Sequence, residues 1–386
     1  MRIMRALAVL ALAAVTISVA PQPACADSWA LPEKATYTSG DGQARVVVTP
    51  RDLKSQLDYF EDKVRKTEPA GQQRGGATAA TARLERLLDG QWQTSWEQRI
   101  SNEVAPVTAI VRNDGQYVVT FDDWHGMGYG PNTVAIYGAT GTLAHALALS
   151  DIVPADYLRA MPRSVSSIHW RGEPRFSPDG GRVIIPVSIP SGDFKQDHAT
   201  VELAVNLADG TVSPVDTQAW EAALATGRTV LAGQIAAEAT RKAEFLAPLL
   251  RPTVNAEREW HDYLSEAVGR LHGDDATAST TVLRATDATD YAVSESWVGE
   301  ALTESYADKV AIASLSEPNL VSVLERVAAK LPRRSLSKVT IFIALSDLYW
   351  PGAVAAMRGT GAKLIQLDPD TPILQRRERI VRRYGR

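Results

Sequence analysis

The chain has 386 residues, 45% hydrophobic and 22% charged, with 41 Lys and Arg against 45 Asp and Glu and a single cysteine. That length supports several domains with cores of their own, and the composition excludes a collagen-like chain, a coiled coil or wholesale disorder. One cysteine excludes an internal disulfide or a cysteine-based zinc site, and the charge of residues 27–386, 39 basic against 45 acidic or −6, argues against a general nucleic-acid binder.

In chain order, the first predicted element is an export signal over residues 1–26. Arg2 and Arg5 give a basic start, Ala6–Ala20 is an apolar run of 15 residues, and Ala24-Cys25-Ala26 is a small-residue cleavage site. A membrane span needs about 20 apolar residues, and Pro21 and Pro23 close this run too early. Cleavage after Ala26 removes Cys25 and two arginines, and sends the mature chain to the periplasm or outside the cell. A lipid anchor on Cys25 is disfavoured, because Gln22 stands where such a signal carries Leu or a similar apolar residue. No later run is long and apolar enough to span a membrane.

Residues 27–101 read as a mixed N-terminal region. Ala44–Thr49 predicts a strand, Pro50–Lys66 a helix and Pro69–Gly76 a loop. Leu84, Leu87 and Leu88 predict a short helix closed by Gly90. Residues 102–216 turn to strand patterns. Val107–Val111 and Tyr117–Phe121 flank the turn Asn113-Asp114-Gly115, and Thr133–Tyr137 and Leu143–Leu149 follow. The layout recurs: a turn at Phe176–Gly180, strands at Val183–Ile189 and Val201–Leu207, then Ala208-Asp209-Gly210. The turn glycines Gly115 and Gly180 lie 65 residues apart, and such self-similarity indicates a repeated β-meander.

The stretch Phe176-Ser177-Pro178-Asp179-Gly180, followed by a hydrophobic strand, resembles the repeat signature of TolB-type, WD-like β-propellers of the bacterial envelope. Asn113-Asp114-Gly115 is a degenerate partner. The resemblance covers residues 102–216 and implies propeller blades. Closure takes about four to eight blades, and only two units are found, so a propeller-like meander or a sandwich is the expected form.

From Thr217 the pattern is helical. Trp220, Leu224, Leu231 and Ile235 share one face, as do Trp260, Tyr263, Leu264, Ala267 and Leu271. With Pro252 between them, these predict a helical hairpin over 217–273, with Asn255 as an N-cap and Gly273 as the stop. Over 274–386, strand-like runs at Thr280–Arg284, Val310–Ser314, Val339–Leu345 and Lys363–Leu367 alternate with helical ones. The helices are predicted at Tyr291–Glu304, Glu317–Leu331 and Gly352–Arg358, with a last one from about Ile373. Alternation of this kind predicts βαβ units and a mostly parallel sheet. The expected fold class is multi-domain α+β: a β-meander domain, a helical segment, and a C-terminal α/β unit with a basic tail.

The motifs of common catalysts are absent: there is no Gly-x-Ser-x-Gly elbow, no phosphate-loop Gly-Lys-Ser/Thr and no His-Glu-x-x-His pair. Gly126-Met127-Gly128-Tyr129-Gly130 lacks dinucleotide spacing and precedes a strand, not the helix N-terminus a pyrophosphate needs. The loop Asp122–Gly130 still gathers carboxylates, an imidazole and aromatics, the mix used for metal or sugar contacts. Trp124, His125 and Tyr129 are its candidate ligand-binding residues, with Asp193 and His198 in the matching loop of the second unit. The alternative is that Gly and Asp make the turns while Trp124 and Tyr129 cover the sheet end.

The carboxyl edge of the α/β sheet is the second candidate, with Asp287, Asp347 and Asp368 as oxygen ligands for a divalent metal such as Mg²⁺. Ser and Asp at these places are also the preferred caps of the helices that follow strands. Val339–Asp347 followed by a Gly-containing helix is similar to the later half of von Willebrand A-type domains. Asp287-Ala288-Thr289-Asp290-Tyr291 is the nearest match to their Asp-x-Ser-x-Ser metal motif and lacks its serines. The tail from Arg376 to Arg386 carries six arginines and one glutamate, which suits a helix C-terminus or contact with an anionic surface. Together these features predict an exported envelope binding or interaction protein, its partner an envelope protein or a glycan. The competing expectation is a metal-assisted periplasmic or secreted hydrolase.

Overall fold

The computed structural model describes residues 30–191, 199–273, 278–303 and 308–385. Asp193 and His198 lie outside these residues. Two compact units divide between Ile235 and Ala236. Mixed α and β structure and a final parallel sheet match the expected multi-domain α+β class.

The N-terminal unit is built from three consecutive antiparallel meanders of four strands. The first comprises β1 (Ala35–Thr38), β2 (Ala44–Thr49), β3 (Thr81–Leu88) and β4 (Gln91–Arg99), with helix α1 (Gln56–Arg65) between β2 and β3. The helix predicted around Leu84–Leu88 is therefore strand β3. Ala82 and Leu84 point inward and alternate with Arg83, and β2 and β4 flank the strand on both sides. Gly90 does not cap a helix. Asp89 and Gly90 both have positive φ, 50° and 74°, the conformation of a tight Asp-Gly hairpin turn. β4 carries almost no apolar signal, because Trp96 is its single buried residue.

The second meander is β5 (Pro106–Val111), β6 (Val118–Asp123), β7 (Val134–Tyr137) and β8 (Leu143–Leu147), followed by short helices α2 (Leu149–Ile152) and α3 (Ala155–Ala160). The third is β9 (Arg175–Phe176), β10 (Arg182–Ser188), β11 (Thr200–Asn206) and β12 (Val212–Pro214). These two correspond to the repeated units read over 102–216, and the first meander shares their layout.

Packing joins the three sheets face to face. Val46, Val48 and Leu84 meet Ala109, Val111, Val118 and Tyr137 in one core. Val119, Phe121, Val134 and Ile136 meet Val183, Ile185, Leu203 and Val205 in another. The middle sheet is thus buried on both faces, and Val118 through Phe121 are all 0% exposed. Each such side chain contributes roughly 1.5–3 kcal/mol on burial, against a span of about 1 kcal/mol for strand propensity, so packing decides the fold. On the outer face of the first sheet, Arg45 pairs with Glu85 at 2.6 Å and lies over the Trp92 ring. That charged surface ends the stack on this side.

Helix α4 (Thr217–Leu246) contains the boundary between the units. Its first half buries Ala223, Gly227 and Leu231, and Trp220 packs on Tyr157 with ring centroids 5.1 Å apart. Residues 232–244 are exposed all round. A helix with no apolar face there cannot build a core, so the segment 217–273 is divided between the units instead of forming one.

In the C-terminal unit, α5 (Glu257–His272) precedes β13 (Ser279–Leu283), α6 (Tyr291–Thr303), β14 (Lys309–Ser314), α7 (Glu317–Ala328), β15 (Thr340–Ala344), α8 (Trp350–Met357), β16 (Lys363–Leu367) and α9 (Arg377–Tyr384). The strands pair in parallel in sequence order. Residues of α6, α7 and α8 pack on Leu283, Ile312, Ile341 and Ile343. On the opposite face Trp260, Leu264 and Ala267 of α5 pack on Val282, Ala311, Phe342 and Ala344. Gly273 caps α5 with φ 94° as the sequence indicates, but the N-cap is Ala256, not Asn255. The Asn255 amide is used elsewhere, accepting from Trp260 Nε1 at 2.8 Å and donating to the Leu315 carbonyl at 3.1 Å.

Candidate functional site

The first strands of the three meanders, β1, β5 and β9, are each an edge strand of their sheet. All three line one groove of about 910 Å³. Strand alternation fixes which backbone groups face it. The Ser39 N–H turns inward to the Ala44 carbonyl and the Arg112 N–H to the Tyr117 carbonyl, so Thr36, Thr38, Ala109 and Val111 direct their N–H and C=O groups away from their own sheets. Such edges are templates for pairing with another extended chain.

Charge at the rim is held in place. Arg112 donates to both Asp114 oxygens at 2.8 and 2.7 Å and to the Gly180 carbonyl at 2.8 Å. That guanidinium holds the Asp114 carboxyl below its ordinary range. Arg175 is paired with Glu202 at 2.7 Å. The turns Asn113–Gly115 and Ser177–Gly180, legible in sequence as a repeat, therefore place their residues at the rim of one groove.

The Asp122–Gly130 loop is organised by its buried carboxylate. Asp122 is 0% exposed and has a left-handed φ of 58°. Its Oδ1 accepts from the Gly128 N–H at 2.8 Å and Trp170 Nε1 at 2.9 Å. Its Oδ2 accepts from Arg171 Nε at 3.0 Å and Nη2 at 2.9 Å. With four donors bound, it positions the loop and has no free direction for a ligand. Gly128, at φ +75°, has room for no side chain: a Cβ would lie 2.9 Å from Ile168.

The predicted ligand-binding residues of this loop are largely packing residues. Trp124 is 5% exposed and donates from Nε1 to the Ala30 carbonyl at 2.8 Å. Tyr129 packs partly buried against the core. His125 is half-buried, its ring edge-on to Tyr59, Phe60 and Trp124 at 4.9, 4.9 and 5.0 Å, and burial lowers its pKa. Asp123 accepts from Asn102 Nδ2 at 2.8 Å. Burial, aided by the charges of Glu103 and Asp122, pushes its carboxyl up to about 6 against the donors that oppose it. Tyr59, Phe60 and Glu103 join this cluster through α1 and the segment before β5, which no local pattern around Trp124 indicates.

At the carboxyl edge of the parallel sheet, the three predicted metal ligands serve apart. Asp287 is exposed in a turn. Asp347 accepts from Gln366 Nε2 at 3.0 Å, and Asp368 closes its own turn through the Asp370 N–H at 3.1 Å and Thr371 Oγ1 at 2.5 Å. Asp290, in the stretch compared with the von Willebrand motif, is ion-paired with Arg284. Among the described residues no group of three or more His, Cys, Asp or Glu side chains is placed to hold a metal ion. A sheet whose strands run in sequence order also lacks the reversal that opens a ligand crevice in doubly wound folds.

Part of the tail is used in packing. Arg379 donates to both Glu266 oxygens at 3.1 Å, Arg376 to the Leu271 carbonyl at 3.2 Å, and Arg383 lies 4.8 Å over the Phe245 ring. Burial alone would raise the Glu266 carboxyl, but Arg379 and Arg270 hold it below its ordinary value. Among the described residues no helix is long and apolar enough to cross a membrane. No protein-family model matches the chain, and no curated protein matches it.

Proposed function

We propose that the chain is an exported interaction protein of the bacterial envelope whose N-terminal unit binds an extended segment of a partner protein. The observation that carries this reading is the convergence of three free sheet edges on one groove. A segment lying along β1, where Thr36 and Thr38 are exposed, gains backbone hydrogen bonds worth about 0.5–1.5 kcal/mol each. Side chains at alternate positions then meet Ile110 and Phe176 or the fixed charges of the rim, which supplies specificity. Export rests on the layout of residues 1–26. A metal-assisted hydrolase is the weaker reading, because its proposed ligands serve separate local roles.

The test is a selection of linear peptides on the mature protein, followed by affinity measurement on wild type and Thr38→Trp. Thr38 is exposed at the groove, so the indole fills the cleft without disturbing the core. Selected peptides are expected to bind in roughly the micromolar range and to lose about tenfold or more in the variant. Peptides that bind both proteins equally, or a selection that enriches none, would refute the reading.

A further inference from the structure

An open pocket in the C-terminal unit has a volume of about 550 Å³, within the roughly 300–1,000 Å³ of small-ligand sites. Arg251, Pro252 and Asn255 before α5, Trp260 of α5, Ser314 at the end of β14 and Glu317 at the start of α7 line it.

Its polar groups are oriented but incompletely joined. Glu317 Oε2 accepts from the Ser346 N–H at 3.1 Å and Ser346 Oγ at 2.5 Å, which fixes the carboxylate. Glu317 Oε1 then faces Arg251 Nη2 at 3.9 Å, beyond the roughly 2.7–3.2 Å of a hydrogen bond. Arg251 is held from the other side by Asp370 at 3.0 Å. A donor and an acceptor thus face each other across a gap that neither closes. The Asn255 amide is fixed by one bond at each end, and keeps one N–H and one lone-pair direction for a ligand. One guanidinium between two carboxylates leaves a local charge of −1, which disfavours anions. The matching ligand is neutral and carries donors and acceptors on adjacent atoms, with an apolar face for Pro252 and Trp260.

We propose that this cavity binds a monosaccharide unit of a glycan, with adjacent hydroxyls donating to Glu317 Oε1 and accepting from Arg251 Nη2. The site is independent of the groove in the N-terminal unit and goes beyond the peptide-binding reading. It requires no metal.

The experiment is an NMR titration of the mature chain with methyl α-D-glucoside, methyl α-D-mannoside and N-acetylglucosamine, following the Trp260 indole and Asn255 amide signals. At least one sugar is expected to move both signals with a Kd of roughly millimolar order. Glu317→Gln keeps an acceptor for Ser346 but loses charge toward the ligand, and is expected to weaken binding about tenfold. Ser346→Ala, which removes the hydroxyl bond to the carboxylate but keeps the backbone one and does not touch the cavity wall, is expected to weaken it several-fold. The proposal is overturned if no sugar moves these signals, if the shifts persist equally in both variants, or if inorganic phosphate moves them at lower concentration than any sugar.

Discussion

Asp122 and Asp123 are neighbours with opposite environments, and each makes a separate prediction. Asp122 neutralises Arg171, whose side chain is 6% exposed. Asp122→Ala leaves a buried guanidinium unpaired and is expected to cost about 3–5 kcal/mol in urea unfolding. A loss below about 1 kcal/mol would mean the pair organises nothing. Asp123 titrates in the other direction. Its folded pKa, raised to about 6, lies above the ordinary carboxyl value, so its contribution to stability is present below about pH 4 and lost as pH rises through 6. Asp123→Asn keeps the acceptor for Asn102 and should stabilise the protein above pH 6 by on the order of 1–3 kcal/mol, with no difference near pH 4. Equal stability profiles for the two proteins would contradict this. The sequence marks both aspartates as members of a polar loop. It cannot separate them, because the partner of Asp122 is 49 residues away and no local pattern specifies it.

Elements were legible where one local period dominates. The strands of the parallel sheet are legible to within one or two residues, since the central β14 and β15 are buried apolar runs and the edge strands β13 and β16 keep short apolar or β-branched runs. β3 reads as a helix because leucines at 84, 87 and 88 also fit a helical face, and its pairing with β2, across the inserted α1, leaves no local mark. β4 carries no strand signal because its polar residues face solvent. In α4 the decisive contact is again distant: a Cβ on Gly227 would lie 2.8 Å from Tyr157 Cδ2. Alanine gains about 1 kcal/mol of helix propensity over glycine, while overpacking costs typically about 1–3 kcal/mol. Gly227→Ala is therefore expected to destabilise the protein, and Gly233→Ala, where a Cβ meets nothing within 4 Å, to stabilise it. The reverse order in thermal unfolding would show that this half of α4 is loosely packed.

For the whole molecule, the three meanders are the part of the fold that sequence only half disclosed. Repeated Asp-Gly turns revealed two of them. The first was hidden by the insertion of α1 and by the polar surface of β3 and β4. What stacking adds is the groove, a property of no single repeat, since each meander contributes only its first strand and residues just after it. The candidate loop at Asp122–Gly130 was prominent in sequence because it is rich in Gly, Asp and aromatics, yet those residues mainly hold the loop together. On the proposed reading, the free edge of β1 pairs with an extended partner in this groove. Hydrogen exchange of the mature protein with a selected peptide tests it most directly, because unpaired edge amides exchange fast and paired ones do not. Binding is predicted to slow the amides of Thr36 and Thr38, both exposed, by about tenfold or more. Protection confined to other residues, with these two unchanged, would contradict the account.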